Sequence, residues 1–266
     1  MSDSRPIGIF DSGLGGLTVL NAIKKIIPNE NIIYVGDTAR VPYGNKSAPL
    51  IVQYSLQITQ FLLEKDAKLI IVACNTASAL AISTLQNDFD LPIIGVIAPG
   101  VNSAVKLTKN NNVGVIGTNA TISSNAYQNE LIKISPSIYT LSQACPLFVP
   151  LVEEGLLEGP IVSAIVEYYL KNLDLSRIDT LILGCTHYPL LKPAIKQYTN
   201  NLTLVDSADS LAKEAHLILK NNSIINNNAD KGKQDFYVTD SPSSFANIAK
   251  RFLGYSIINV KTASIN

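Results

Sequence analysis

Two short stretches decide how this chain folds: Leu69-Ile70-Ile71-Val72-Ala73-Cys74-Asn75-Thr76 and Leu181-Ile182-Leu183-Gly184-Cys185-Thr186-His187. Each is an apolar run of strand length that gives way to a small residue, a cysteine and two polar residues. The cysteines stand 111 positions apart, at 74 and 185. If each run is a strand of the same rank in two similar halves, the thiols meet across a cleft between them.

The neighbouring sequence supports a repeat. Ile7 to Phe10 reads as a strand that enters a glycine-rich turn, Asp11-Ser12-Gly13-Leu14-Gly15-Gly16. Val113-Gly114-Val115-Ile116-Gly117-Thr118 resembles its start, 106 positions on from Ile7. Strands are expected at 31–35, 69–72 and 92–97 in the first half, and at 137–141, 181–183 and 202–205 in the second. Helices are expected at 17–27, 47–64 (Ser47 as N-cap), 77–87 and 101–109, then at 159–172. Strands alternating with helices predict mainly parallel sheets. The tail adds a helix at 210–220, a polar stretch at 221–233 expected as a mobile surface loop, a strand at 236–239, a helix at 242–253 and a strand at 255–260. Both halves are complete without it, so it should pack back on the first. The expected fold is α/β: two similar domains, each a parallel sheet flanked by helices, over 1–98 with 208–266 and over 99–207, with the site in the interdomain cleft.

Composition narrows the function. The 266 residues include 21 Lys plus Arg and 21 Asp plus Glu, a formal net charge of zero. With no basic block, neither a nucleic acid nor a membrane surface is the expected partner. No apolar stretch reaches the roughly 18 residues of a membrane helix, and no export signal is read at the start. Three cysteines and two histidines, with no CxxC, fit reduced thiols in the cytoplasm and no metal site.

In open parallel sheets, ligands sit beyond the carboxyl ends of the strands. The turns Asp11-Ser12, Cys74-Asn75-Thr76, Gly117-Thr118 and Cys185-Thr186-His187 all lie there. A free cysteine is commonly a small buried hydrophobe, and Cys145, between Ala144 and Pro146, is read that way. Cys74 and Cys185 each follow a strand and precede a helix-like segment, where backbone N–H groups and a helix N-terminus lower a thiol pKa from about 8.5. His187 can exchange a proton with Cys185 near neutral pH. Asp11 is either its counterpart for Cys74 or a helix cap. Glu153 and Glu154 fall in a loop-like stretch, Glu154 as a solvated charge. The glycine-rich turn lacks the GxGxxG order and a phosphate-binding lysine, and its N–H groups with Ser12 would suit a carboxylate.

Phe10 to Val19, Val41-Pro42-Tyr43-Gly44, Ala73 to Ser78, Gly117-Thr118-x-Ala120-Thr121 and Gly184 to Leu191 together resemble the glutamate racemases, over nearly the whole chain. The resemblance implies a cofactor-independent isomerase that supplies D-glutamate for peptidoglycan. It implies that Cys74 takes the α-proton of D-glutamate and Cys185 that of L-glutamate, with Asp11, His187 and Glu153 assisting. Ser12, Tyr43, Gly44, Asn75, Thr76, Thr118, Thr121 and Thr186 would hold the substrate, together with Asp11 and His187. No pyridoxal motif is evident, and homodimer formation is left open. In the tail, Thr239-Asp240-Ser241-Pro242 lacks the glycine expected there. Read from residues alone, a Cys185–His187 hydrolase and a non-catalytic two-lobed binding protein remain as alternatives.

Overall fold

The first strand, β1 (Ile7–Asp11), is buried at all five positions, as a central parallel strand must be when both faces are covered. In the computed structural model, which describes residues 2–265, the chain continues through α1 (Leu17–Ile26), β2 (Ile32–Gly36), 3-10 turns at Thr38–Arg40 and Tyr43–Asn45, α2 (Ala48–Glu64), β3 (Leu69–Val72), α3 (Asn75–Asp88) and β4 (Ile93–Gly95). The second half runs α4 (Ile97–Leu107), β5 (Asn112–Gly117), α5 (Asn119–Ser123), α6 (Ala126–Ile134), β6 (Tyr139–Ala144), α7 (Phe148–Glu153), α8 (Pro160–Leu170), β7 (Thr180–Gly184), a 3-10 turn at Tyr188–Leu191, α9 (Lys192–Thr199) and β8 (Thr203–Val205). The tail contributes α10 (Ala208–Asn221), β9 (Gln234–Val238), α11 (Pro242–Leu253) and β10 (Val260–Thr262).

The strand orders are β10-β9-β2-β1-β3-β4 and β6-β5-β7-β8. Each neighbouring pair is parallel. Removing the two tail strands leaves the same order in both sheets, so β3 and β7 are equivalent, each beside the strand that opens its half. The tail strands extend the first sheet through β2, with Tyr34 opposite Phe236. One apolar cluster crosses between the halves, joining Leu14 and Leu17 to Phe148, Cys185 and Tyr188, and reaching Phe245 and Phe252 of α11. On α1 alone it takes in Leu17, Val19, Leu20, Ala22 and Ile23; Leu20→Ala should cost about 2–5 kcal/mol.

Several local expectations need correction. Strand β4 stops at Gly95, and α4 begins at Ile97 rather than 101. Pro99 does not break it, because in a first turn its missing N–H has no helical acceptor to lose. Gly100 lets this helix approach the next turn, since a Cβ there would lie 2.4 Å from Ser207 Oγ. Helix α3 starts at Asn75, directly after Cys74. Ser47 takes the extended N-cap backbone but makes no side-chain cap bond. Strand β6 runs 139–144 and is only half-buried, so its sequence carries polar residues and a weak apolar signal. The short α5, α6, α7 and α9 were not foreseen, and the last strand falls at Val260–Thr262, not 255–260.

The asparagine-rich stretch is a surface loop, as expected, and it is anchored at one point. Asn226 is buried; its N–H donates to Glu30 Oε1 at 2.7 Å and its amide to Asn29 O at 2.7 Å. The glycine missing from Thr239-Asp240-Ser241-Pro242 is replaced by Ser241 in the left-handed conformation, φ 52°. Asp240 Oδ1 accepts the Ser241 N–H at 2.7 Å, and Thr38 bonds Asp240 on both backbone groups. Those bonds offset a conformation that costs an L-residue roughly 1–2 kcal/mol.

Candidate active site

Strands β3 and β7 deliver Cys74 and Cys185 to the walls of one cavity, of about 280 Å³, lined by both halves. Both thiols are buried and free. Their surroundings differ, and the chain just beyond each cysteine is the cause.

Cys74 is the N-cap residue of α3. Its sulfur lies 3.7 Å from Ser12 Oγ and receives the Ala77 N–H of the first helical turn. Burial pushes the thiol up to about 12; Asp11 adds to the rise, while the Ala77 N–H and Ser12 oppose it. The lowered pKa expected from a helix N-terminus is therefore overridden by desolvation.

No α-helix begins after Cys185. A bend and the 3-10 turn Tyr188–Leu191 come first, and α9 starts only at Lys192. The expected helix-terminus assistance is absent there, and His187 occupies the space. Its Nδ1 lies 3.9 Å from Cys185 Sγ and its Nε2 3.0 Å from Glu153 Oε1. Burial disfavours the imidazolium, but the bonds and charges of Cys185 and Glu153 outweigh it and raise His187 to about 10. The geometry suits an imidazolium held between the Cys185 sulfur and the Glu153 carboxylate.

Asp11 is fully buried behind the cavity wall. Its carboxylate accepts the Gly13 N–H at 2.9 Å and faces the Thr186 hydroxyl at 3.4 Å. Burial raises its pKa, against the pull of His187 and of the Gly13 and Gly16 N–H groups. Among the described residues it has no hydrogen bond to Cys74, which it reaches through its field alone. Gly15 permits the two halves to close this tightly: a Cβ there would fall 2.1 Å from Thr186 Oγ1 and 2.5 Å from His187 Nδ1.

The polar groups form a second layer of contacts between the halves. Thr76 Oγ1 lies 2.9 Å from Thr118 Oγ1 and 3.2 Å from Thr121 Oγ1, and Thr118 and Thr121 are 2.9 Å apart. Thr118 caps α5 through the Thr121 N–H. Asn75 accepts the Tyr127 hydroxyl at 2.6 Å. The loop carrying Tyr43 and Gly44 is anchored by buried Asp37, which takes the Tyr43 hydroxyl and, at 2.7 Å, the Arg40 guanidinium. Gly44 meets Thr118, where a Cβ would lie 2.8 Å from the threonine Cβ.

Of the expected site residues, Asp11 and Thr121 stand behind the wall; Ser12, Tyr43, Gly44, Cys74, Asn75, Thr76, Thr118, Glu153, Cys185, Thr186 and His187 line it. Glu153 is not in a loop. It is the last residue of α7, and that helix also brings Val149 and Pro150 to the cavity. These two went unforeseen, as did Pro146 and Asn119. The signal lay in the apolar run Leu147 to Val152, obscured by Pro146, which lies outside the helix, and by Pro150, which only a first-turn placement makes compatible with one. Among the described residues, no Lys or Arg lines the cavity and no cluster suited to a metal occurs.

A family model described as Asp/Glu/Hydantoin racemase matches residues 8–215. The chain belongs to that family. This racemase-family chain is 45% identical over 262 residues to a glutamate racemase of Geobacter metallireducens, covering 98% of this chain and 97% of that one. It is 47% identical over 251 residues to a glutamate racemase of Aquifex aeolicus, covering 94% and 95%. Its fold superposes, with a TM-score of 0.93, on the glutamate racemase of Francisella tularensis subsp. tularensis SCHU S4 solved in complex with D-glutamate; identity is 41%, and 98% of each chain is covered.

Proposed function

We propose that the chain interconverts L- and D-glutamate by moving the α-proton between two thiols, without a cofactor. The observation that carries this reading is the placement of Cys74 and Cys185 at equivalent strand ends of a duplicated fold, on the walls of a single cavity. Bases on opposite sides of a bound amino acid invert it without turning it over.

In one direction, the Cys74 thiolate takes the proton from Cα of D-glutamate. The electron pair left on Cα spreads into the α-carboxylate, and the Cys185 S–H delivers its proton to the other face, leaving L-glutamate. The thiols exchange protonation states, and the reverse reaction or solvent exchange restores them. His187 stabilises the Cys185 thiolate, and Glu153 holds His187. Neutral donors must carry most of the load of the substrate's carboxylates, because among the described residues no Lys or Arg lines the cavity and the His187 imidazole is engaged by Cys185 and Glu153. Backbone N–H groups beside Ser12 and Gly44, the Asn75 amide and the Thr76, Thr118 and Thr186 hydroxyls serve that purpose, each well-aimed donor to the developing enolate contributing about 3 kcal/mol. The substrate ammonium would draw the high Cys74 pKa down toward the working range.

We assign the product to peptidoglycan synthesis and the enzyme to the cytoplasm, where free thiols persist. Membership of the tail strands in the first sheet supports domain limits of 1–98 with 208–266 and 99–207. The test is turnover of each glutamate enantiomer in deuterated water, followed by circular dichroism and mass spectrometry. Product deuterated at Cα, formed while recovered substrate still carries hydrogen, is expected. Binding without exchange at Cα, or exchange with aspartate alone, would overturn the assignment.

A further inference from the structure

The tail does more than complete the first sheet. Consecutive residues at the end of α11, Arg251 and Phe252, touch both members of the Glu153–His187 pair, which belongs to the other half of the chain. Arg251 Nη1 donates to the backbone carbonyl of Glu153. The Phe252 ring packs against the His187 imidazole in a T-shaped arrangement, with centroids 5.4 Å apart and planes at 86°. We propose that Arg251 and Phe252 are positioning residues for proton transfer at Cys185, clamping Glu153 and His187 from a segment outside the duplicated fold.

The end of α7 explains why a clamp is needed there. The last carbonyls of a helix lack intrahelical partners. Here Leu156 N–H bonds Leu151 O, Gly155 N–H bonds Val152 O and Glu154 N–H bonds Pro150 O. These turns leave the carbonyl of Glu153 itself for Arg251, a cation at a helix C-terminus. Gly155 makes the approach possible twice over. It holds φ +78°, and a Cβ on it would lie 2.9 Å from Arg251 Cζ. The guanidinium thus rests on the turn that ends α7 and on the backbone of the very residue whose carboxylate meets His187 Nε2 at 3.0 Å.

The base of α11 is itself rigid. Asn21 of α1 donates to Phe252 O at 2.9 Å. Lys24 donates to Tyr255 OH at 2.9 Å, and Tyr255 OH donates to Gln234 of β9 at 3.0 Å. Phe252 and Leu253 are buried. The contact therefore transmits the position of the first sheet to α7. The charged or titratable groups facing His187 are Cys185 and Glu153 in contact, and Asp11 at longer range. Arg251 acts on this set only through the placement of Glu153.

This inference rests on the racemase reading above, and the experiment separates the two. The full chain is assayed as wild type, Arg251→Gln, Arg251→Lys, Glu153→Gln and Arg251→Gln/Glu153→Gln, with thermal unfolding measured for each. Arg251→Gln should lower kcat about 10-fold with KM within about threefold, the cost of a small misplacement of a catalytic group. The alkaline limb of its pH–rate profile should move to lower pH, as His187 loses Glu153. Arg251→Lys, still able to donate to the carbonyl, should recover most of the rate. In the Glu153→Gln background, Arg251→Gln should cause no further loss. If Arg251→Gln does not fold, Phe252→Leu takes its place in the same cycle. An unchanged pH profile, or losses that multiply in the double variant, overturns the clamp while leaving racemisation intact. A wild type that places no deuterium at Cα instead overturns the racemase reading itself.

Discussion

Tyr127 of α6 donates its hydroxyl hydrogen to Asn75 Oδ1 at 2.6 Å, and so determines which end of that amide faces the cleft. Asn75 opens α3 directly after Cys74 and lines the cavity. With its oxygen engaged, its NH₂ is the group left for a ligand. Tyr127→Phe should therefore lose orientation rather than shape. We expect KM for glutamate to rise about 5- to 20-fold, the equivalent of one hydrogen bond, with a modest fall in melting temperature. An unchanged KM would mean that Asn75 holds its orientation without Tyr127.

The two thiols are predicted to be individually indispensable. Cys74→Ser and Cys185→Ser should each lower racemisation at least about 10²–10⁴-fold, the range of a general acid–base contribution. Both variants should retain wild-type circular dichroism, since serine fills nearly the same volume. Racemisation by either variant at the wild-type rate would exclude the two-base assignment.

His187 links the site to the pH dependence of stability. Its folded pKa, about 10, stands above its ordinary 6.5. A group raised on folding contributes stability that is complete below its unfolded pKa and is lost as pH rises through the folded value. Wild-type stability toward urea should therefore fall between about pH 6.5 and 10, the window set by those two values. His187→Gln should flatten that fall. An equally steep decline in the variant would locate the titration elsewhere.

At the opposite end of the first sheet, Lys68 Nζ pairs with Glu30 Oε2 at 2.7 Å with both side chains essentially inaccessible. Lys68 also donates to Asp3 O at 2.6 Å, and Glu30 accepts the Asn226 N–H. Lys68→Met leaves a buried carboxylate without its cation and should cost about 3–5 kcal/mol in urea unfolding. Lys68→Met/Glu30→Gln should recover part of that loss. Turnover of the folded enzyme should change little in either variant, because the pair lies beyond the amino ends of the strands and the cavity beyond their carboxyl ends.

The strongest signals in the sequence came from buried elements. Strands β1, β3 and β7 read directly because every position is buried and, apart from Asp11 and Thr180 at two strand ends, none is polar. Helix α11 was legible over its full extent, 242–253, from its leading proline and closing Gly254. Short, half-exposed or proline-bearing elements were not: α7 carries Pro150 in its first turn, and α5 is only five residues long. The asparagine-rich stretch lies at the surface, as its polar composition signals, except at Asn226, which is buried because backbone groups and Glu30 satisfy it. At the site, the cysteines and their flanking polar residues were visible as local strings. Val149, Pro150, Tyr127 and Arg251 were not, because each acts through a contact distant in sequence.

The sequence alone determined the duplication, the parallel strands and the identity of the two thiols, because apolar periodicity and a repeated strand–cysteine string are local properties of the chain. Tertiary structure decided what distinguishes the thiols. Cys74 caps a helix and is desolvated beside Asp11, whereas Cys185 precedes a tight turn that presents His187, backed by Glu153 from α7 and touched by α11. Burial, hydrogen bonding and charge at a site depend on which distant segments pack there, and that packing decides which groups surround each thiol.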